Sequence, residues 1–115
     1  MSESPDAEAT IVDLDRLASF TQGDPALEAE LVALYVETAR LYLARLRRAG
    51  DDASEWQRAA HALKGASANL GAVMVAKRAA EQEQEAPSLV ALRALEADLA
   101  AVCAVFRERG SLQVA

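Results

Sequence analysis

Apolar residues recur along this chain at steps of three and four, the period of a helix with one buried face, and no alternating strand pattern competes with it. The first run is short: Leu14, Leu17 and Phe20, opened by Asp13 as N-cap and stopped at Gln22-Gly23. Asp24-Pro25 then starts a second helix. The aspartate can cap free amides of the first turn, and proline is tolerated there because its missing N–H has no helical partner. Leu27, Leu31, Leu34, Tyr35, Thr38, Leu41, Tyr42 and Leu46 follow up to Gly50, predicting a helix of about seven turns. Ser54-Glu55-Trp56-Gln57 fits a capping box, which predicts a third helix running to Gly71. Val73 to Ala86 reads as a fourth, with a face of mostly small residues (Val73, Val75, Ala76, Ala79, Ala80), and Pro87-Ser88 breaks it. Leu92, Leu95, Leu99, Val102 and Phe106 mark a last helix that closes at Gly110.

Short connections between long helices imply antiparallel neighbours. The pattern therefore predicts an all-α fold: an up-down-up-down antiparallel four-helix bundle with a short extra N-terminal helix, over residues 13–110. A disordered acidic tail, 1–12, is expected before it and a C-terminal tail, 111–115, after it. Composition agrees. Of 115 residues 52% are hydrophobic and only 4% aromatic, so the core must come from Leu, Val and Ala, of which Leu and Ala are the strongest helix formers. The single cysteine, Cys103, forbids an internal disulfide and lies beside the last stripe, where it serves as a small buried hydrophobe.

A net charge of −6 argues against nucleic acid as a partner. Without a basic, then apolar, leader or an apolar run of about 20 residues, neither export nor a membrane span is expected, and the chain reads as cytoplasmic. Its Met1 start and tapering end at Ala115 fit an independent protein. The charge is unevenly spread: from Arg40 to Arg78 there are eight basic residues against three acidic ones, a net of +5 that leaves −11 to the two ends. A basic centre can steer an acidic partner, although Arg45, Arg47 and Arg48 also suit the negative end of a helix.

One residue resists a packing explanation. His61, the only histidine, lies opposite the arc of the third helix that holds Trp56, Ala59, Ala60, Leu63, Ala66, Ser67 and Leu70. Gln57, Arg58, Lys64, Gly65, Ala68 and Asn69 fall within about 80° of it. A glycine inside a helix costs about 1 kcal/mol relative to alanine. On this face Gly65 would provide clearance, opening the surface so that another protein can reach the imidazole. Lys64, one turn on, can discourage a second positive charge on the ring and pair with an anionic phosphoryl group. The face shows no further histidine or carboxylate for a metal, Ser67 lies too far round to pair with His61, and no glycine-rich nucleotide loop exists. ATP binding and kinase activity are not expected of this chain.

The run His61-Ala62-Leu63-Lys64-Gly65-Ala66-Ser67-Ala68-Asn69-Leu70-Gly71 resembles the signature of the histidine-containing phosphotransfer (HPt) domain family of two-component phosphorelays, close to His-x-Leu-Lys-Gly-x-Ser-x-x-Leu-Gly. The chain departs from the family chiefly at Ala79-Ala80-Glu81, where larger apolar residues usually precede the acidic position. The resemblance implies that His61 accepts a phosphoryl group from a receiver-domain phosphoaspartate and passes it to another receiver's aspartate. It implies a phosphocarrier that is not itself an enzyme, with no cofactor of its own, Mg²⁺ being brought by the receiver. The implied partners are response-regulator receiver domains, including that of a hybrid histidine kinase, met by a monomer. Lys64 would support the phosphoryl charge and Gly65 the clearance. Gln57, Arg58, Ala68 and Asn69 would complete the docking surface, with Leu63 and Ser67 supporting it from the core. Two other readings stand beside this one: an HPt-like module that binds a receiver or kinase without being phosphorylated, and the phosphoacceptor piece of a chemotaxis-type kinase.

Overall fold

The computed structural model describes residues 8–113. The first part of the expected acidic tail, residues 1–7, lies outside them. Helix α1 (Leu14–Thr21) starts where the Asp13 carboxylate accepts from the Arg16 amide at 3.0 Å and ends on Gln22 in the left-handed region. Helix α2 (Pro25–Ala49) is capped by Asp24, which accepts from the Ala26 and Leu27 amides at 3.0 and 3.2 Å. Helix α3 (Ala53–Leu70) departs from the predicted capping box. Its cap is Asp52, whose carboxylate accepts from the Ser54 and Glu55 amides, each at 3.1 Å, so Ser54 is already inside the helix. A full negative charge at the positive helix end serves better than a hydroxyl.

Helix α4 (Val73–Gln82) stops short of the predicted Ala86. Tighter bonds take over past its end, from the Gln84 amide to the Glu81 carbonyl and from the Glu85 amide to the Gln82 carbonyl. Ahead of Pro87 the helical backbone is disfavoured anyway. Helix α5 (Leu89–Arg109) begins with the Ser88 hydroxyl accepting from the Ala91 amide at 3.2 Å and closes on Gly110.

The regular structure of the described residues is thus all helical, with no strand among them. Each of α2 to α5 packs on the next, α5 packs back on α2, and α1 lies against α2. Phe106, Leu17, Leu46, Leu63 and Leu95 are the largest fully buried side chains, and every predicted stripe position of α5 is buried. On α2 the buried face differs from the predicted one. Val32, Val36, Ala39, Leu43 and Leu46 point inward with Tyr35, whereas Leu34 and Leu41 are 59% and 49% exposed. The valine and alanine steps keep the helical period more faithfully than the larger leucines do, and the period decided. Phe20 likewise lies exposed on α1, under the Arg16 guanidinium.

The bundle also reaches beyond both expected boundaries. Val12, assigned to the tail, is buried, and Ile11 packs beside it. At the other end Ser111 is buried, its hydroxyl donating to the Phe106 carbonyl, and Leu112 packs on the core. Arg109 donates twice to the Glu28 carboxylate, at 2.8 and 3.0 Å, joining the start of α2 to the end of α5. Arg109 holds the Glu28 carboxyl below its ordinary range, outweighing the opposing effect of burial.

Gly71 anchors α1 to the end of α3. Its φ of +104° is a left-handed conformation, and a Cβ there would stand 2.7 Å from the Asp13 carbonyl oxygen. In turn the Asp13 amide donates to the Gly71 carbonyl at 2.7 Å. The close approach of two backbones therefore requires glycine at this position.

Candidate functional site

The two faces of α3 are as its sequence arranges them. Trp56, Ala59, Ala60, Leu63, Ser67 and Leu70 are buried, while His61, Gln57, Arg58, Gly65, Ala68 and Asn69 are exposed and Lys64 is partly so. Ser67 is fully buried, and its hydroxyl meets that of Tyr35 on α2 at 2.7 Å. This pair crosses the core from α2 to α3, and burial pushes the Tyr35 phenol well above its ordinary value despite the Ser67 bond. Ser67 therefore supports the helix from below and takes no part in a pair with His61.

The end of α4 is fixed from the same helix. The Trp56 indole N–H, buried in the core, donates to the Gln82 carbonyl at 3.2 Å. The next residue, Glu83, then falls beside His61. One Glu83 oxygen meets His61 Nδ1 at 2.6 Å; the other meets Lys64 Nζ at 2.5 Å. The Glu83 side chain is 12% exposed and that of His61 68%.

This corrects the sequence reading in two respects. The face around His61 does hold a carboxylate, contributed by the neighbouring helix. Lys64 does not stand free over the imidazole, because it shares Glu83 with His61. The two cations hold the Glu83 carboxyl below its ordinary value, Lys64 more than His61. Glu83 was missed because the predicted helix ran past it to Ala86, which made it one more solvent residue. A usable signal was present. A tight turn at Gly71-Ala72 folds α4 back along α3, so residues equally spaced about position 72, such as 61 and 83, face each other.

The contact of Nδ1 with Glu83 favours one tautomer of the ring. An ionised carboxylate can only accept, so Nδ1 carries a proton and donates it to Glu83. In the neutral ring the lone pair available outward is then on Nε2. The site presents an exposed imidazole whose Nδ1 is held by the Glu83 carboxylate, itself held by the Lys64 ammonium.

Gly65 is open on the same face: beyond its chain neighbours and the helix's own backbone, no atom lies within 4 Å of the place a Cβ would occupy. Gln57, Arg58, Ala68 and Asn69 surround it as exposed side chains. Among the described residues Arg58 pairs with Glu55, at 3.0 Å on the surface, and such a pair contributes little stability. The Asn69 carbonyl accepts from Arg16 Nε at 3.1 Å, which brings α1 to the edge of this face. Among the described residues no three His, Cys, Asp or Glu side chains gather as a metal-binding group. No described helix is long and apolar enough to cross a membrane.

No match was found among curated proteins or among solved structures. The model of the Hpt domain family, however, matches residues 30–106, from within α2 to near the end of α5 and including the whole His61 face. With most of the bundle covered by that match, the chain belongs to the Hpt domain family, whose members act in phosphotransfer in two-component systems.

Proposed function

We propose that this chain is a phosphorelay carrier in which His61 Nε2 takes a phosphoryl group from a receiver-domain phosphoaspartate and gives it to the aspartate of a second receiver. The observation that supports this most is the Glu83 bond to Nδ1, which leaves Nε2 as the outward nucleophile. In the forward step the Nε2 lone pair attacks phosphorus, an N–P bond forms, and the acyl P–O bond breaks with its electrons leaving on the aspartate carboxylate. No proton has to move. The ring acquires a positive charge, which Glu83 faces directly, and Lys64 is near enough to turn from Glu83 toward the phosphoryl oxygens. Transfer of this kind depends mainly on positioning and charge stabilisation.

Mg²⁺, in this reading, belongs to the receiver, where it neutralises phosphoryl charge. On this chain Glu83 is already shared by His61 and Lys64. Gly65 leaves room for the receiver, and Gln57, Arg58, Ala68 and Asn69 form the surface around it. Incubation with a phosphorylated receiver is expected to give acid-labile, base-stable label that is absent in His61→Gln. Label persisting in that variant overturns the assignment. Receiver binding without label on the unaltered chain would show a binding module instead.

A further inference from the structure

On the side where α5 meets α2, the bundle holds a cavity of about 420 Å³ that takes no part in the His61 site. Its floor is Leu43 of α2 with Leu99 and Cys103 of α5, all buried, and Ala44 and Ala100 leave its walls low. Two contacts fix the register of the helices. Glu28 meets Arg109, while Arg47 meets Glu96, so the two helices run antiparallel here. The Arg47–Glu96 pair thus bridges the trough at one end. Arg40 and Arg107 line the cavity toward the other end, at the level of Cys103 and beyond.

Neither the Arg40 nor the Arg107 guanidinium has an ion-pair or hydrogen-bond partner among the described residues. Burial pushes the Cys103 thiol above its ordinary value while both guanidiniums pull the other way, so both charges act on the cavity floor. Two unpaired cations over a buried apolar floor, with the Glu96 carboxylate at the cavity's end already paired to Arg47, form an amphipathic site of net positive charge. The volume lies within the range of small-molecule pockets, roughly 300–1,000 Å³.

We propose that this cavity binds a small amphipathic anion, with a carboxylate or phosphate head between Arg40 and Arg107 and an apolar body over Leu43 and Leu99. The seven-residue spacing from Arg40 to the Arg47 bridge corresponds to about 10 Å of helix and sets the length of that body. A helical peptide, about 10–12 Å across, would have to pass through the Arg47–Glu96 bridge, which favours the small ligand.

The test is an NMR titration of the ¹⁵N-labelled chain with octanoate and with octyl phosphate, using acetate and 1-octanol as head-only and body-only controls. Saturable shifts confined to amides of residues 40–47 and 96–107 are expected with at least one of the two anions, and much weaker effects with either control. Arg40→Gln combined with Arg107→Gln should weaken binding at least about tenfold, since each charge-assisted hydrogen bond is worth that much or more. Arg40→Lys with Arg107→Lys should retain most of it. Both variants alter exposed, unpaired side chains, and circular dichroism checks that they fold. Unchanged affinity in the glutamine variant overturns the site, as do shifts spread equally over exposed Leu34, Leu89 and Val90. Binding of acetate alone with equal affinity would indicate an adventitious ion only, and overturns it too. So would sedimentation showing self-association through these residues, or an acidic peptide that displaces octanoate and binds more tightly.

Discussion

Replacing Gly65 separates the stability of α3 from its accessibility, because the two are expected to move in opposite directions. Gly65 lies one turn past His61 inside the helix, with open space where a Cβ would stand. Gly65→Ala therefore meets no clash and removes a flexible residue from a helix interior, a gain of about 1 kcal/mol. For a domain of this size that raises Tm by roughly 3–6 °C. Gly65→Leu has nearly the same helical preference and a side chain directed to solvent, so its stability should also equal or exceed that of the unaltered chain. Phosphotransfer should respond otherwise. A methyl group trims the clearance beside the imidazole, whereas an isobutyl group fills it and holds the receiver's aspartate away, and misplacement by about 1 Å can cost on the order of 100-fold in rate. The measurements are thermal unfolding followed by circular dichroism and the rate of label transfer from a phosphorylated receiver. Normal transfer by Gly65→Leu would refute the clearance argument. Destabilisation by Gly65→Ala would show instead that the glycine serves packing.

Glu83→Ala should leave the helical spectrum unchanged but slow transfer by about tenfold or more, because the ring charge formed on transfer loses the carboxylate that faces it, a charged hydrogen bond worth about 1.5–3 kcal/mol. The His61 ring ¹⁵N shifts should show loss of the Nδ1–H preference, and an unaltered tautomer would remove Glu83 from the proposed mechanism. Ser67→Ala strands the buried Tyr35 hydroxyl and should cost about 1–3 kcal/mol in urea unfolding; adding Tyr35→Phe should recover part of it, and no recovery would mean that the pair is not what matters. The carboxyls of Glu83 and Glu28 are held below their ordinary value of 4.5. Their contribution is therefore fully present above pH 4.5 and lost as pH falls through the lower folded values. Thermal stability should accordingly hold near neutrality and decline in acid below that point, less steeply in Glu28→Gln, and an equal decline in that variant would count against the Glu28–Arg109 pair.

The helical layout was legible because it depends on local chemistry that a sequence displays. Asp13, Asp24 and Ser88 cap the helices they precede, and Gly71 and Gly110 end them. The errors arose where two local signals competed. Ser54 had the spacing of a capping box, but Asp52, two residues earlier, starts the helix sooner by offering a charge to the Ser54 and Glu55 amides. On α2, leucines marked one stripe and smaller residues another, and composition suggested the wrong one. Leu34 and Leu41 lie outside because packing against α3 and α5 selects by angle, and a wheel drawn for one helix has no knowledge of its neighbours.

The same distinction explains the site. His61, Lys64 and Gly65 sit on one helix at one-turn spacing, so periodicity alone could bring them together. Glu83 is remote in sequence and arrives only through the α3–α4 hairpin, with the Trp56 bond to the Gln82 carbonyl fixing how far α4 slides along α3. That makes the core position Trp56 a positioning residue for the surface histidine. Trp56→Phe keeps an aromatic ring in the core while deleting the N–H, so a modest loss of stability is expected together with loosening of Glu83. If the tautomer preference of His61 survives Trp56→Phe but not Glu83→Ala, the hairpin turn itself sets the register. If both lose it, the placement of the proton on an exposed ring depends on a hydrogen bond made in the core.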